Sequence, residues 1–432
     1  MPSLGVLWSQ YGPYHFARIS ALKRHDASQT IHALEIASRT HDYEWSRSGA
    51  TVNLITLFPG DIAEQLPFWR VFFRTRESFA QLKLDVCFIP SYSPRQPLAA
   101  LLAARSLGIR TVLMIDSHKG TMRARRLGTW LKRRLVGLFD AALVGGTPQM
   151  TYVESLGMHR DAIFLGYDAV DNEYFARRAA EARSRAAELR HRFDLPERYF
   201  LSLGRFLPKK NLSALIRAYR RFLDSSIGTK THLVMVGSGE EETSLRMLCD
   251  ELRLPVYNKM GARTEFLDSS IADSRPGVHF YGFRQIEENA VFYALADAFI
   301  LPSAIEEWGL VINEALSCGL PVVVSETVGC AEDLLPKGSP ESVETSTGWK
   351  PQLAKCIRRN GFVFDPNSVS SLADALLALD ADPELRKAMG HAGRLVVEEF
   401  SCEKFARSAI LAANIALKRG SRISQDSGAG ER

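Results

Sequence analysis

The chain has 432 residues, too many for one hydrophobic core, which sets the expectation at two domains. Its 46% hydrophobic and 24% charged residues are those of a globular protein, not of a disordered or fibrous one. A net charge of +5 is too mild to indicate nucleic acid; it suits acidic substrates such as phosphates, or an anionic membrane surface.

The six cysteines, Cys87, Cys249, Cys318, Cys330, Cys356 and Cys402, are scattered and form no C-x-x-C pair. That spacing supports neither a disulfide framework nor a zinc site and fits a reducing, cytoplasmic setting. The N-terminus shows no charged region followed by an apolar run, and no stretch approaches the ~18 apolar residues of a membrane span.

In chain order, short apolar runs end in Gly, Ser or Asp and lead into helical stretches. They cover 4–8, 52–58, 86–90, 111–115 and 141–144. After residue 198 the rhythm restarts with 199–203, 233–236, 278–281, 298–301 and 322–324. The runs are rich in Val, Ile, Leu and Phe without clean alternation, as strands buried on both faces of a parallel sheet are. Alternation with helices predicts right-handed crossovers and an α/β, doubly wound sheet. Two series predict two Rossmann-like domains, 1–190 and 191–400. The expected joint is the charged, Ala-rich stretch 177–193. A Ser/Thr/Glu/Lys-rich insertion is expected at 336–357, a last helix at 402–418 and a disordered tail at 419–432. Ligands of such sheets bind beyond the carboxyl ends of the strands.

Two loops stand out in the second series. Gly204-Arg-Phe-Leu-Pro-Lys-Lys-Asn211 follows a predicted strand and opens a helix near Leu212. A helix start favours an anion, and Arg205 and Lys210 add two full charges, Arg as a fork and Lys as a point charge. The other loop carries Glu306, Glu307 and Trp308 into a helix predicted from Gly309 to Cys318, with Gly319 as its C-cap. Gly309 allows close approach of a ligand to the backbone, and the N–H groups of Leu310 and Val311 suit a phosphate. Glu314 sits inside a largely apolar helix, where a merely solvated carboxylate is out of place.

At these residues the chain resembles the retaining glycosyltransferases of family 4, which have the GT-B fold. The hallmark Glu-x7-Glu is matched by Glu306 and Glu314, and the Gly-Arg…Lys phosphate motif by Gly204, Arg205 and Lys210. Further similar stretches begin at Leu233, Val278, Ala296 and Asn360, and at Val170 before the joint. The resemblance covers roughly 105–410. It implies two domains facing a cleft, with the last helix returning to the N-terminal domain. It implies metal-independent transfer of a sugar, with retention, from a nucleotide-diphosphate sugar to a glycan, lipid-linked or small-molecule acceptor. No cofactor and no metal are implied. An epimerase or hydrolase on the same scaffold is the alternative.

By the same resemblance Arg205 and Lys210 hold the diphosphate, Glu314 the ribose and Glu306 the sugar hydroxyls, with His118 contacting the sugar from the first domain. These four cleft residues, His118, Glu306, Arg205 and Lys210, are the catalytic candidates. The donor-binding set adds Gly204, Phe283, Arg284, Trp308, Gly309, Leu310, Val311 and Glu314, with 282–284 near the base. The turn holding Gly12, Pro13, Tyr14 and His15 is assigned to the acceptor side. Glu307 stands where the family commonly has glycine.

Asp380-Ala-Asp382 could hold a metal in a different fold, but it ends an Ala/Leu-rich helix before Pro383 and reads as a turn. The run 119–134 holds Lys119, Arg123, Arg125, Arg126, Lys132, Arg133 and Arg134 with no acid. It reads either as a helix packed on its sheet with a basic outer side or as a docking surface for anionic lipid. The protein is therefore expected in the cytoplasm, with a peripheral contact at the cytoplasmic membrane face. Its aromatics are not interleaved for base stacking, so nucleic acid is not expected as a partner.

Overall fold

The computed structural model describes residues 2–41, 52–93, 95–121, 126–226, 228–258, 275–339 and 355–428. The chain divides into two compact units, Met1–Asp171 with Phe400–Arg432, and Asn172–Glu399. No described helix is long and apolar enough to cross a membrane.

The first unit is built on strands β1 (Ser3–Trp8), β2 (Thr30–Arg39), β3 (Leu54–Ile62), β4 (Val86–Pro90), β5 (Arg110–Ile115), β6 (Ala141–Val144) and β7 (Ile163–Leu165). Their order is β3-β2-β1-β4-β5-β6-β7, and each pairs parallel with its neighbours. Leu4, Val6, Leu7, Val86, Phe88, Val112 and Leu113 are fully buried, because helices cover both faces. The order reverses between β1 and β4, which makes the loops after these strands the walls of a switch-point crevice.

The helix Cys402–Gly428 belongs to this unit. Phe405, Ala406, Ala409, Ala412, Ala413 and Ala416 bury one stripe of it in the core; the small alanines let its backbone come close. The disordered tail expected from 419 is corrected here. The helix runs on to Gly428, and the Arg419 guanidinium donates to the Asp140 carbonyl at 3.1 Å. Residues 429–432 lie outside the described ones.

The second unit contains β8 (Tyr199–Leu203), β9 (His232–Val236), β10 (Val256–Asn258), β11 (Val278–Phe280), β12 (Ala298–Leu301), β13 (Val322–Ser325), β14 (Ile357–Arg358) and β15 (Gly361–Phe364). The order is β10-β11-β9-β8-β12-β13-β15-β14. All pairs are parallel except the short antiparallel β14–β15. Here the order reverses between β8 and β12.

The joint expected at 177–193 falls instead between Asp171 and Asn172. Helices Asn172–Ser184 and Ala186–Phe193 fold with the second unit, because Phe175, Ala179, Ala182 and Leu189 are buried there. The Phe175 ring meets the Tyr293 ring edge-on at 6.4 Å, and Arg183 donates to the Cys318 carbonyl at 2.6 Å. Of the insertion expected at 336–357, residues 340–354 lie outside the described ones; Lys337 bridges to Arg358 at its base.

Asp380 and Asp382 have structural roles. Asp380 accepts from Arg198 at 2.9 Å and from the Thr231 hydroxyl at 2.6 Å, tying together segments far apart in sequence. Asp382 caps the helix Pro383–Glu398, accepting from the Leu385 N–H at 2.9 Å.

Candidate functional site

The two loops singled out from the sequence flank the β8/β12 switch point of the second unit. Residues 204–211 leave β8 and lead through a short turn into the helix Leu212–Ser225. Residues 302–309 leave β12 and lead into the helix Leu310–Ser317. Gly204, Arg205 and Lys210 line one depression with Leu301 and Pro302.

The loops are sewn together. The Lys209 carbonyl accepts from the N–H groups of Ala304 at 2.9 Å and Ile305 at 3.3 Å. Lys210 pairs with Glu306, and Lys209 with Glu307 at 3.2 Å. Glu306 is only 8% exposed, and it also accepts from the Ser303 hydroxyl at 3.0 Å. A carboxylate so removed from water needs such partners. The two adjacent doublets, Lys-Lys and Glu-Glu, carry the signal for this double pairing, which sequence reasoning did not use.

Gly237 explains how the Arg205 loop holds its shape. A Cβ there would lie 1.9 Å from the Gly204 carbonyl oxygen, and its φ is +140°. Only glycine allows this contact of backbone on backbone. The Gly204 N–H donates to the Val236 carbonyl and the Phe206 N–H to the Ser238 carbonyl, at 2.9 and 2.8 Å. The Gly237 N–H donates to the Gly282 carbonyl at 2.8 Å, which anchors the 282–284 loop beside it. Phe283 is 47% exposed there.

Gly309 is the N-cap of Leu310–Ser317 at φ +99°, a left-handed conformation that favours glycine. A Cβ would meet Leu301 at 3.0 Å and Val328 at 3.3 Å. The first-turn N–H groups of Leu310 and Val311 have no acceptor within the helix, by the geometry of any helix start. Glu314 is fully buried one turn on, deeper than Glu306.

Trp308, named in the donor-binding set, is buried. Its side chain is 2% exposed, and its indole N–H donates to Asn313 Oδ1 at 2.9 Å. It braces the loop onto the helix behind it and does not present its ring to solvent.

In the first unit, His118 follows β5. Its Nδ1 accepts from the Gly120 N–H at 3.2 Å, which leaves the proton on Nε2. The Thr121 hydroxyl closes the turn by donating to the His118 carbonyl at 3.0 Å. The turn after β1 leads into the helix Pro13–His25, with Pro13 and Tyr14 half-buried at its start. Gly12 donates its N–H to His15 Nδ1 at 2.9 Å. Burial and the neighbouring Arg18 push the His15 imidazole down to about 3. His15 packs against Trp8, ring centroids 4.6 Å apart. It is thus a neutral acceptor that shapes this turn.

Glu35, which sequence reasoning missed, holds the same turn. It is fully buried in β2, accepting from the Tyr11 N–H at 2.9 Å and from the Thr56 hydroxyl at 2.7 Å. A carboxylate in the middle of a central strand was its signal. Asp168 lies nearby, 3.7 Å from Arg18. Burial, with the nearby Asp116 charge, pushes its carboxyl up to about 8. Of the basic run, Arg123 and Arg125 lie outside the described residues. The helix Arg126–Val136 turns Trp130 and Leu131 to solvent, 58% and 52% exposed, so its apolar residues are not all packed on the sheet. Among the described residues no cluster of His, Cys, Asp and Glu could hold a metal ion.

Residues 197–382 match the family model described as glycosyl transferases group 1. The chain carries a glycosyl transferases group 1 domain. That domain contains both loops of the switch point and the two acids of the Glu-x7-Glu pattern. Over 265 residues the chain is 30% identical to a GDP-mannose-dependent alpha-(1-6)-phosphatidylinositol monomannoside mannosyltransferase of Mycobacterium tuberculosis, covering 58% of this chain and 57% of that one. It is 26% identical over 341 residues to the sulfoquinovosyl transferase SQD2 of Arabidopsis thaliana, covering 76% of this chain and 56% of the relative. The chain thus spans somewhat over half the length of these relatives. The structure of Anabaena HepE in complex with UDP-glucose superimposes with a TM-score of 0.62 at 15% identity, over 97% of this chain and 99% of that one. The fold is GT-B, as the resemblance implied.

Proposed function

We propose that the protein is a metal-independent, retaining glycosyltransferase that moves a sugar from a nucleotide-diphosphate donor to a glycan, lipid-linked or small-molecule acceptor. One observation carries the reading: Arg205, Lys210, Glu306 and the Gly309 helix start all border the single switch point of the group 1 domain. The names of the compared proteins support the donor class: GDP-mannose in one and UDP-glucose in another.

The chemistry follows from the pairing. In the structure Lys210 is neutralised by Glu306. An arriving diphosphate is the stronger acceptor for Lys210 and Arg205, because it carries more charge and fits the guanidinium fork. Lys210 exchanges carboxylate for phosphate, and Glu306 is released to accept from sugar hydroxyls. The two cations and the helix amides then stabilise charge that develops on the leaving diphosphate, the task a metal performs elsewhere. The bond from the anomeric carbon to phosphate oxygen breaks, and the acceptor oxygen bonds to that carbon from the same face. The departing phosphate oxygen takes the acceptor proton. Glu314 is assigned to the ribose and the 282–284 loop to the base. In the first unit, His118 with its proton on Nε2 is assigned to a sugar hydroxyl, and the Gly12, Pro13, Tyr14 and His15 turn to the acceptor.

We place the protein in the cytoplasm, peripheral at the membrane through 119–134. The phosphatidylinositol mannoside in one relative's name supports a lipid-linked acceptor. The test is transfer from UDP-, GDP- and ADP-sugars to lipid and glycan acceptors, with the product's anomeric configuration read by NMR. Retention is expected. An inverted product, or free sugar as the product with every acceptor, overturns the reading.

A further inference from the structure

The connections β3→β4, β4→β5 and β5→β6 all run in one direction along the first sheet, and β1→β2 runs in the other. Right-handed crossovers therefore place the helices Phe68–Leu82, Arg95–Ser106 and Arg126–Val136 on one face and Pro13–His25 on the opposite face. All three helices of the first group leave large apolar side chains in water, Leu102 on Arg95–Ser106 the least, at 36%. On Phe68–Leu82, Val71, Thr75, Ser78 and Phe79 are buried, while Trp69 and Phe73 are 65% and 64% exposed. These two are four residues apart, so they lie on one side of the helix, with ring centroids 6.3 Å apart. On Arg126–Val136 the exposed large apolar side chains among the described residues are Trp130 and Leu131.

Single exposed apolar residues are ordinary on any protein. Two tryptophan-bearing helices on one face need an occupant, and the charge identifies it. Arg70 and Arg74 beside the first pair are matched by Asp61 at 3.2 Å and Glu77 at 2.9 Å. Beside the second pair stand Lys132, Arg133 and Arg134, with no acid anywhere in 117–134. The Arg134 guanidinium lies 5.3 Å from the Trp130 ring centre, an aromatic–cation pair on the outer surface. Aromatic rings beside surplus cations suit a bilayer interface, where rings enter the headgroup boundary and long basic side chains reach lipid phosphates.

We propose that this face of the first unit docks on an anionic bilayer, with Trp69 and Phe73 as the inserted anchor and Lys132, Arg133 and Arg134 as the electrostatic contact. It extends the membrane contact proposed for 119–134 by naming a second helix as the anchor, and it does not depend on sugar transfer. Anchoring by both elements accords with the rule that stable attachment takes two signals.

The test is flotation of the full chain with phosphatidylcholine vesicles and with phosphatidylcholine–phosphatidylglycerol vesicles. Recovery with the anionic vesicles only, weakening with salt, is expected. Trp69→Ser with Phe73→Ser should lower partitioning by about tenfold or more. Because both residues are exposed, the melting temperature and the nucleotide-sugar response should stay as in the native chain. Lys132→Gln, Arg133→Gln and Arg134→Gln together should lower binding and flatten its salt dependence. No flotation with anionic vesicles overturns the proposal, as does unchanged flotation of the Trp69/Phe73 variant. A native dimer that this variant dissolves, seen by light scattering, would assign the face to a second copy instead.

Discussion

Replacing Lys210 by Met removes the cation that neutralises Glu306 while keeping most of its volume. The side chains of the pair are 17% and 10% exposed. Breaking a fully buried pair costs about 3–5 kcal/mol. Partial solvent screening reduces this, and we expect about 2 kcal/mol. For a unit of this size that lowers the melting temperature by about 4–8 °C. Loss of a charge-assisted contact to phosphate weakens nucleotide binding by about 1.5–3 kcal/mol, roughly 10- to 150-fold. The variant Lys210→Met with Glu306→Gln separates the two effects. With no stranded carboxylate, most of the stability should return, and the nucleotide affinity should not. Calorimetric unfolding and titration with UDP-, GDP- and ADP-sugars measure both quantities. A Lys210→Met protein that binds the donor as tightly as the native chain refutes the assignment of Lys210 to the diphosphate.

Gly237→Ala forces a methyl onto the Gly204 carbonyl oxygen, backbone against backbone at positive φ. We expect a loss of about 3 kcal/mol or more and weaker nucleotide binding, read by urea unfolding and titration. Asp382→Ala should cost about 1 kcal/mol through the lost helix cap, and should not alter any response of melting to added Mg²⁺ or Mn²⁺. His15 should remain neutral between pH 7 and pH 4 in the folded protein, because its pKa is lowered from 6.5 to about 3. The unfolded chain takes up that proton near pH 6.5, so this residue's contribution to stability falls as pH drops from 6.5 towards 3. NMR titration of the imidazole checks the first statement, and denaturation of the native and His15→Gln proteins at pH 7 and pH 5 checks the second.

The switch-point loops were legible because their residues are unusual for their positions. Glycine before arginine at a strand end, and an acid within an apolar helix, both need a reason. The paired doublets were not read, since pairing depends on two loops separated by nearly a hundred positions meeting across β8 and β12. Strand β2 was missed because His32 and Glu35 interrupt its apolar run, and β7, β10 and β14 because they are very short. Composition misled at the domain joint: 177–193 is charged enough to look like a joint, yet Phe175, Ala179 and Ala182 repeat at helical spacing and are buried. The sequence places Trp308 in the donor-binding loop, and only the structure shows its N–H bonded to the protein's own Asn313.

Arg205, Lys210 and the start of the Gly309 helix are proposed to hold a diphosphate without a metal. The most direct measurement is titration of the native chain with nucleotide-diphosphate sugars in EDTA, repeated with Mg²⁺ and with Mn²⁺. Binding of at least one donor at equal affinity in all three conditions is predicted. Binding that appears only with a divalent cation, or no binding of any donor, rules this out.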